Sequence, residues 1–278
     1  MLGIVAKEVQ VRRLGVADLA ACLDLAADRS WSREEAKWRL LLELGGGYGI
    51  DAPDGGLAGT VFLTEVAPRI GAVGMLLVAS RYGGRGLGYR LMNEALSAAD
   101  CATVFLYATE AGLPLYRKLG FQIVDEIVKH TGVFEPASAP APGIRLGDTE
   151  DLPTLARLDR QAFGADRTML LRRLLPIAER VVIADEGYAV AWRNLDTVHV
   201  GPLVAKSMST AKTLLDAAFL EGNSTTRVDL CTGAGIELSG WLAERGLTAH
   251  PSSPLMVRGE DLPGNRAMLL APFTQALG

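Results

Sequence analysis

Apolar residues in the first half of the chain alternate between short continuous runs and stretches with helical spacing. The runs at residues 59–64 and 72–79 have the length of strands and are separated by a turn containing Pro68 and Gly71. They predict two paired central strands. A glycine-rich turn at residues 83–88 then precedes a helix, whose predicted buried side carries Leu91, Met92, Ala95 and Leu96.

Three further elements follow this helix. Residues 103–108 predict a strand, residues 113–118 a short helix, and residues 121–124 a last strand. Nearer the start, Ser32 and Glu35 have the spacing of a capping box, which predicts a helix that begins there. Helices come first, then paired strands, then strand, helix and strand, and this order predicts an α/β (α+β) fold.

A segment without helical or strand period, residues 132–143, divides the chain. It contains three prolines among small residues, which is typical of a semi-extended linker. Four short segments recur in the same order in residues 1–131 and in residues 144–278. The matching pairs are 13–19 with 145–152, 75–79 with 202–205, 107–112 with 230–235, and 119–121 with 245–247. The sequence therefore predicts two copies of one α/β unit.

Charge and composition exclude several classes of protein. The 28 Lys and Arg against 32 Asp and Glu give a net charge of −4, and a nucleic-acid partner is not expected because the basic residues are scattered. Uncharged stretches are shorter than the ~18 residues of a membrane span, so no membrane is expected either. The N-terminus lacks a secretory pattern, and we expect a cytoplasmic protein.

The three cysteines, Cys22, Cys101 and Cys231, are isolated. Their spacing does not match a metal-binding motif, and we expect no metal. The three histidines are not near a Gly-x-Ser-x-Gly turn, so a hydrolase triad also has little support.

The glycine-rich turn at residues 83–88 stands between a buried strand and the start of a helix. Backbone N–H groups at a helix N-terminus have no intrahelical partner and attract anions such as phosphate. A dinucleotide fingerprint does not fit, because Tyr89 stands where the third glycine is needed. A Walker loop does not fit either, because the nearest approach, at residues 205–207, lacks the glycine and lies in the other half.

The segment Gly83-Gly-Arg-Gly-Leu-Gly resembles the acetyl-CoA pyrophosphate loop of the GNAT superfamily of N-acetyltransferases, written Arg/Gln-x-x-Gly-x-Gly/Ala. Downstream, residues 108–121 resemble a second motif of that family, which ends in Leu-Tyr-x-x-Leu-Gly-Phe. The resemblance implies a tandem GNAT protein with a degenerate C-terminal copy. Each copy would be a GNAT-like domain with a mixed, mostly antiparallel central sheet flanked by helices.

The resemblance also implies a role for particular residues of the first copy. Tyr116 would protonate the departing CoA thiolate as general acid while an amine attacks the thioester directly. Thr109 stands where many members of the family have Asn, and Gly83 where many have Arg or Gln. The pantetheine arm and the pyrophosphate of acetyl-CoA would contact Leu76, Leu77, Val78, Gly83, Gly84, Arg85, Gly86, Leu87 and Gly88.

The general base stays open at this stage. Residues 72–78 contain no carboxylate, although some members of the family use a glutamate on this strand. Glu65 and Glu110 lie at predicted strand ends near the expected cleft. They are interpreted either as candidate bases or as solvated charges, and a water chain is a further route for the amine proton.

The second copy departs from the first at the site. No glycine occurs between Pro202 and Glu221, and Leu242 stands where the first copy has Tyr116. We therefore expect a catalytically silent copy that closes the acceptor cleft. Its residues 158–167 either line the amine pocket or form a helix end with local ion pairs; the charged residues concerned are Asp159, Arg160, Asp166 and Arg167.

The sequence thus predicts an acetyl-CoA-dependent N-acetyltransferase whose acceptor is a primary amine of a small molecule or a peptide. The alternative is a non-catalytic acyl-CoA sensor or regulatory module, and longer acyl chains are a third possibility. The expected form is a monomer or a homodimer.

Overall fold

The computed structural model describes residues 10–136, 143–219, 224–232 and 235–278. Gly132 and Val133, at the start of the predicted linker, lie in a strand, and residues 137–142 at its centre are outside the described residues. The helices are α1 (Leu19–Asp28), α2 (Glu35–Leu44), α3 (Leu87–Ala98), α4 (Leu113–Lys118), α5 (Leu152–Phe163), α6 (Thr168–Leu174), α7 (Met208–Ala218) and α8 (Gly235–Glu244).

The described residues form fourteen strands. In the first half these are β1 (Val11–Arg13), β2 (Gly47–Asp51), β3 (Leu57–Ala67), β4 (Ile70–Val78), β5 (Thr103–Tyr107) and β6 (Gln122–Val133). In the second half they are β7 (Arg145–Gly147), β8 (Ala178–Ala184), β9 (Gly187–Asn194), β10 (Thr197–Ala205), β11 (Thr225–Cys231), β12 (Leu247–Ala249), β13 (Ser253–Gly259) and β14 (Leu269–Ala271). The mixed α/β fold expected from the sequence is confirmed.

Contacts between residues divide the chain into two compact units. Unit 1 comprises the residues up to Thr64 together with Gly74–Asp100, and unit 2 comprises Glu65–Val73 together with Cys101–Gly278. The two central strands β3 and β4 therefore contribute residues to both units. Among the described residues, no helix is both long and apolar enough to cross a membrane.

In unit 1 the strands follow the order β1, β2, β3, β4, and the pairs β1–β2 and β2–β3 are antiparallel. Trp38 of α2 is fully buried and packs edge-on against Phe62 of β3, with ring centroids 5.7 Å apart. On α3, three of the four expected residues, Leu91, Met92 and Ala95, are buried, and the fourth, Leu96, is half-buried.

The start of α2 corrects one prediction. The helix begins at Glu35 after Glu34 as N-cap, with no side-chain hydrogen bond at the cap. The capping box predicted from Ser32 and Glu35 is therefore wrong. Residues 31–34 have no helical structure, so Ser32 lies before the position from which a capping side chain reaches the first free N–H groups.

In unit 2 the strand order is β4, β5, β13, β6, β11, β10, β9, β8, β7, with β12 paired to β6 and β14 paired to β10. This order interleaves the two halves of the chain. Strand β13, from the second half, lies between β5 and β6 of the first half, with Leu255 opposite Tyr107. Strand β6 in turn pairs with β11 of the second half, with Val128 opposite Leu230. Strands of the two halves of the chain are thus hydrogen-bonded to one another.

Candidate active site

The glycine-rich turn lies in unit 1 and has the geometry of an open helix start. A 3₁₀ turn at Ser80–Tyr82 leads to Gly83, which is extended, with φ −58° and ψ 153°. Gly84 and Gly86 have φ +72° and +76°, in the left-handed region that glycine adopts without strain. Gly86 is the N-cap of α3.

The first N–H groups of α3 face open space. Gly86 has no side chain to cap them, and no side-chain cap hydrogen bond is made. Gly83, Gly84, Arg85 and Gly86 are exposed, and a Cβ added at Gly84 or Gly86 would meet no atom within 4 Å. Since these N–H groups have no partner within the helix, they are available to an anion.

Two acidic residues accept hydrogen bonds from the residues that precede this turn. The backbone N–H of Ser80 donates to Asp28 Oδ2 at 2.6 Å, and this hydrogen bond holds the pKa of Asp28 below its ordinary value. The Tyr82 hydroxyl and Arg81 Nη2 both donate to Asp54 Oδ1, at 2.8 and 3.0 Å. The pKa of Asp54 is lowered by these two bonds, chiefly by that from Tyr82. The charge of Arg81 is therefore already paired.

Strand β4, which precedes the turn, carries an irregularity at Met75. Met75 is buried and has φ +51°, which is strained for a residue with a side chain. Its carbonyl oxygen accepts a hydrogen bond of 2.9 Å from the buried hydroxyl of Thr60. The three predicted pantetheine contacts follow directly: Leu76 and Val78 are half-buried and Leu77 is buried. Parallel pairing of β4 with β5 covers Ile70–Val73 and Thr103–Leu106.

Tyr116 lies in unit 2, on α4, and its side chain is closely packed. A Cβ added at Gly112 would lie 2.5 Å from the Tyr116 ring, and Phe121 packs edge-on at 6.1 Å. The residue is 8% exposed, and burial raises the pKa of its phenol to about 12. The glycine of the second motif is thus needed for the position of the tyrosine ring.

The other predicted residues of the first copy are exposed. Thr109 precedes the 3₁₀ turn at Glu110–Gly112, and its carbonyl oxygen accepts from the N–H groups of Gly112 and Leu113. Glu65 Oε1 accepts from the backbone N–H of Arg69 at 3.1 Å. The structure therefore places Leu76–Val78 and Gly83–Gly88 together in unit 1, and Thr109 and Tyr116 together in unit 2.

The second copy has a different helix start. The Ser207 side chain is the N-cap of α7 and accepts from the N–H of Thr210 at 3.1 Å. Lys206 Nζ donates to Glu186 at 2.8 Å. The helix start that is open to an anion at α3 is therefore partly capped by a side chain at α7. Leu242, which stands where the first copy has Tyr116, is fully buried.

Strand β14 occupies the edge of β10 in the second copy. Parallel pairing of β10 with β11 covers Thr197–Val200. Beyond it, Leu203 and Val204 pair with Ala271 and Leu269 of β14, and Ala205 N donates to Met268 O at 3.0 Å. The backbone that would correspond to Leu76–Val78 in the repeat is thus hydrogen-bonded to the chain itself.

The charged residues of segment 158–167 form two ion pairs. Asp159 and Arg167 are buried and form a bidentate ion pair, with Arg167 Nη2 2.6 Å from Asp159 Oδ1. Arg160 and Asp166 form an exposed pair at 2.6 Å. The local ion pairs expected at the end of α5 are therefore present. A role of this segment in an amine pocket stays a prediction.

One cluster was missed by sequence reasoning. Arg266 Nη2 donates to Asp125 Oδ2 at 2.5 Å, next to a cavity beside β5 that Tyr107 and Cys231 also line. Asp125 and Arg266 are 141 positions apart, and no local pattern connects them. The described residues contain no group of three or more His, Cys, Asp or Glu side chains that could hold a metal ion.

Comparison with known proteins identifies the family. Models of the acetyltransferase (GNAT) domain match residues 48–123 and residues 155–271, which together make up more than half of the chain. The chain is 26% identical over 273 residues to the uncharacterized N-acetyltransferase YitH of Bacillus subtilis (strain 168), covering 94% of this chain and 95% of YitH.

Two solved structures share the fold. A proposed acetyltransferase from Pyrococcus horikoshii has a TM-score of 0.86 at 20% identity, covering 100% of this chain and 99% of that chain. A tandem GNAT protein from the clavulanic acid biosynthesis pathway has a TM-score of 0.63 at 14% identity, covering 91% of this chain and 100% of that chain. Both family models and these likenesses lead to one conclusion: the chain belongs to the GNAT superfamily of acetyltransferases and carries two GNAT domains in tandem.

Proposed function

We propose that the chain is an acetyl-CoA-dependent N-acetyltransferase whose first copy carries the reaction. The acceptor is a primary amine of a small molecule or a peptide. The observation that carries this proposal is the open N-terminus of α3, where exposed glycines leave the first backbone N–H groups accessible. GNAT acetyltransferases generally use acetyl-CoA, and its pyrophosphate is the anion that such a helix start suits.

Binding would involve mainly the backbone. Gly83 offers no side chain, and Arg81 is paired with Asp54, so the phosphates depend on the N–H groups of residues 84–88 and on Arg85. The strained Met75 sets the direction of β4 just before Leu76–Val78. Their backbone groups would pair with the pantetheine arm as an added strand would. Thr109 supplies a hydroxyl where many members have an amide.

In the reaction, the amine nitrogen attacks the thioester carbonyl carbon, the carbon–sulfur bond breaks, and the acetyl group forms an amide. The CoA sulfur takes a proton from the Tyr116 hydroxyl, and the nitrogen loses one to water. Since burial raises the pKa of Tyr116 to about 12, the phenol holds its proton throughout the physiological range. Glu65 and Glu110 are exposed, and Glu65 already accepts from the turn, so water is the proton acceptor we favour.

We further propose that the second copy binds no cofactor. Ser207 caps its α7, and β14 is paired with β10 where the pantetheine arm would otherwise bind. Both changes replace a contact to the cofactor by a contact within the chain. The second copy then contributes strands to the shared sheet, as β13 does by pairing with β5.

A non-catalytic acyl-CoA sensor is the second candidate. Gly83 removes a side-chain contact to phosphate, and β4 between Ile70 and Val78 supplies no carboxylate as a base. Such a protein would bind acetyl-CoA without using it.

One experiment separates the two candidates. Purified protein is mixed with acetyl-CoA and a broad panel of amines, release of free thiol is followed, and acetyl-CoA binding is measured by calorimetry. Binding with amine-dependent thiol release supports the transferase. Binding without release on any amine favours the sensor, and absence of binding rejects both.

A further inference from the structure

A cavity in unit 2 is walled by β6, by the end of β11 and by α8. It measures about 400 Å³, which lies within the usual range of roughly 300–1,000 Å³ for small-molecule sites. Its lining residues are Val128, His130, Leu230, Cys231, Thr232, Ser239 and Gly240. None of them is among the residues predicted to contact acetyl-CoA, so the cavity belongs to a part of the molecule that the proposed reaction does not use.

Two polar side chains of this cavity are hydrogen-bonded to each other. His130 Nε2 lies 2.7 Å from the hydroxyl oxygen of Ser239, and His130 Nδ1 lies 3.0 Å from the carbonyl oxygen of Val128. Because a carbonyl oxygen can only accept, Nδ1 carries the proton of the neutral ring. Nε2 is then the acceptor, and the Ser239 hydroxyl donates to it.

The two side chains differ in their exposure. His130 is fully buried, and this burial holds its pKa below the ordinary value, although the nearby Asp229 acts in the opposite direction. The ring is therefore neutral at pH 7, which leaves the lone pair of Nε2 free to take a proton. Ser239 is half-buried at the cavity wall, so its hydroxyl oxygen can be reached from the cavity.

The position of Ser239 corresponds to that of Tyr116 when it is counted from the preceding strand. Tyr116 follows Thr109 by seven positions. Ser239 follows Thr232, the counterpart of Thr109 in the repeat, by the same number. Counting back from the glycine after the helix gives Leu242 instead, because α8 has 10 residues and α4 has 6. The second copy therefore keeps a hydroxyl at one of the two positions that correspond to the tyrosine.

From this arrangement we infer that Ser239 is a nucleophile that takes an acyl group from an ester or thioester in the cavity, with His130 as its base. A hydroxyl bonded to a base that a third group orients is the arrangement of an activated serine, and here the Val128 carbonyl is the orienting group. The apolar side chains of Val128 and Leu230 suit a small apolar acyl group.

The reaction moves one proton through the histidine in each direction. Ser239 Oγ attacks the acyl carbon, its proton passes to His130 Nε2, and the bond to the leaving group breaks. The departing alcohol or thiol takes that proton. Water then attacks the acyl-serine, His130 carries the proton back to Ser239 Oγ, and the carboxylic acid is released. Such a reaction needs no acetyl-CoA, so it can be tested apart from the proposed acetyl transfer to an amine.

The probe is p-nitrophenyl acetate, added to the whole chain without acetyl-CoA. Release of p-nitrophenolate is followed by absorbance, and the acid-quenched protein is analysed by mass spectrometry with peptide mapping. We expect an acetyl group on Ser239 of the native protein and none at this position in Ser239→Ala. His130→Gln should slow the acetylation by at least about a hundredfold, the lower end of the usual range for general base catalysis.

The matched control is Thr131→Ala. Thr131 Oγ1 lies 2.6 Å from His250 Nε2, so this pair also joins a hydroxyl to a histidine ring on the same strand, but neither residue lines the cavity. Acetylation of Ser239 should continue in this variant at the native rate. Thermal unfolding checks that each variant folds. The reaction of the native protein should also be slower in heavy water, which tests the base without any substitution.

Several results would overturn the inference: no acetylation of the native protein, acetyl groups only on other residues, equal rates in water and heavy water, or a loss as large in Thr131→Ala as in Ser239→Ala. Release of p-nitrophenolate that depends on Ser239 without a trapped acetyl group would reject the covalent step. Thiol release from acetyl-CoA in the presence of amines is measured separately and tests the proposed function alone.

Discussion

The hydroxyl of Thr60 donates a hydrogen bond of 2.9 Å to the carbonyl oxygen of Met75, and both residues are buried between neighbouring strands. Met75 has φ +51°, a conformation that costs free energy for a residue with a side chain. The bond from Thr60 supplies a donor to the carbonyl oxygen of this strained residue. A side chain on β3 therefore supports the irregularity of β4 just before Leu76–Val78.

Replacing Thr60 by Val tests this support. The change keeps the volume but leaves the Met75 oxygen without its donor, which we expect to lower the free energy of unfolding by about 1–3 kcal/mol. The KM for acetyl-CoA should rise as well, because the adjacent backbone is less well fixed. Urea unfolding and steady-state kinetics measure both effects. Thr64→Val is the control, since its hydroxyl makes only a long contact of 3.4 Å to Gly45 O; a loss as large in the control contradicts the argument.

Removing the hydroxyl of Tyr116 tests the general acid. Tyr116→Phe keeps the ring against Gly112 and Phe121, so we expect kcat to fall by about a hundredfold, within the usual range for general acid catalysis, with acetyl-CoA binding unchanged. Single-turnover kinetics and calorimetry measure the two quantities. Tyr48→Phe, on β2 in unit 1, is the control. An unchanged kcat removes Tyr116 from the mechanism.

The raised pKa of Tyr116 also predicts how kcat depends on pH. The protonated phenol is the active form, and it is lost only as the pH rises through about 12. We therefore expect kcat to show no alkaline fall from this residue between pH 7 and pH 10. An alkaline limb in that range that disappears in Tyr116→Phe would contradict the assignment of a raised pKa.

Changing Gly84 to Ala tests the turn at α3. The added methyl meets no atom within 4 Å, but φ +72° is strained for alanine, so the turn must shift and acetyl-CoA affinity should drop about tenfold or more. Gly56→Ala is a close match, because Gly56 also has φ +72° and open surroundings but lies in the turn between β2 and β3. Both variants should lose similar stability, and only Gly84→Ala should lose affinity. Calorimetric titration with CoA decides between them.

The occupied edge of β10 predicts a stoichiometry. Since β14 pairs with Leu203 and Val204, and Ser207 caps α7, we expect one acetyl-CoA per chain. Calorimetry with protein of known active concentration gives the number directly. Two sites per chain would show that β14 leaves its place when the cofactor binds.

The buried His130 predicts how stability depends on pH. Its Nδ1 lies 3.0 Å from Val128 O and its Nε2 2.7 Å from the Ser239 hydroxyl, and burial holds its pKa below the ordinary value. The folded protein therefore binds this proton less readily than the unfolded chain, and stability is lost as the pH falls below about 6.5. Unfolding at pH 5 and pH 8 should differ less in His130→Gln than in the native protein. A difference between pH 5 and pH 8 that is as large in His130→Gln as in the native protein would contradict the role of burial.

Local spacing in the sequence predicted those features that depend on nearby residues. The helix after the glycine-rich turn and the short helix carrying Tyr116 lie where the pattern places them, while the turn ends at Gly86, two residues earlier than predicted. Each is determined by residues close in the chain: glycines for positive φ, apolar residues at helical spacing, and Gly112 for the tyrosine ring. Their roles in binding and catalysis stay predictions.

Features that depend on distant residues did not follow from the pattern. The sequence predicted a strand at residues 121–124, where β6 begins, but alternation of side chains does not state which partner a strand takes. The burial of the Asp159–Arg167 ion pair was not predicted, because charged residues are rarely buried unless they are paired. The ion pair of Asp125 with Arg266 was not predicted either, because it joins β6 to a residue 141 positions later in the chain.

The exchange of strands between the halves also constrains synthesis. Strand β5 is mostly apolar, Thr-Val-Phe-Leu-Tyr, and one of its edges pairs with β13, which the ribosome makes about 150 residues later. At ~5–20 residues per second the nascent edge waits roughly 8–30 s for its partner. An apolar strand edge left open for that time is a template for aggregation. The first half must therefore be protected, by β6 or by a chaperone, until the last tenth of the chain leaves the ribosome, and a gene cut between the halves should yield an insoluble first half.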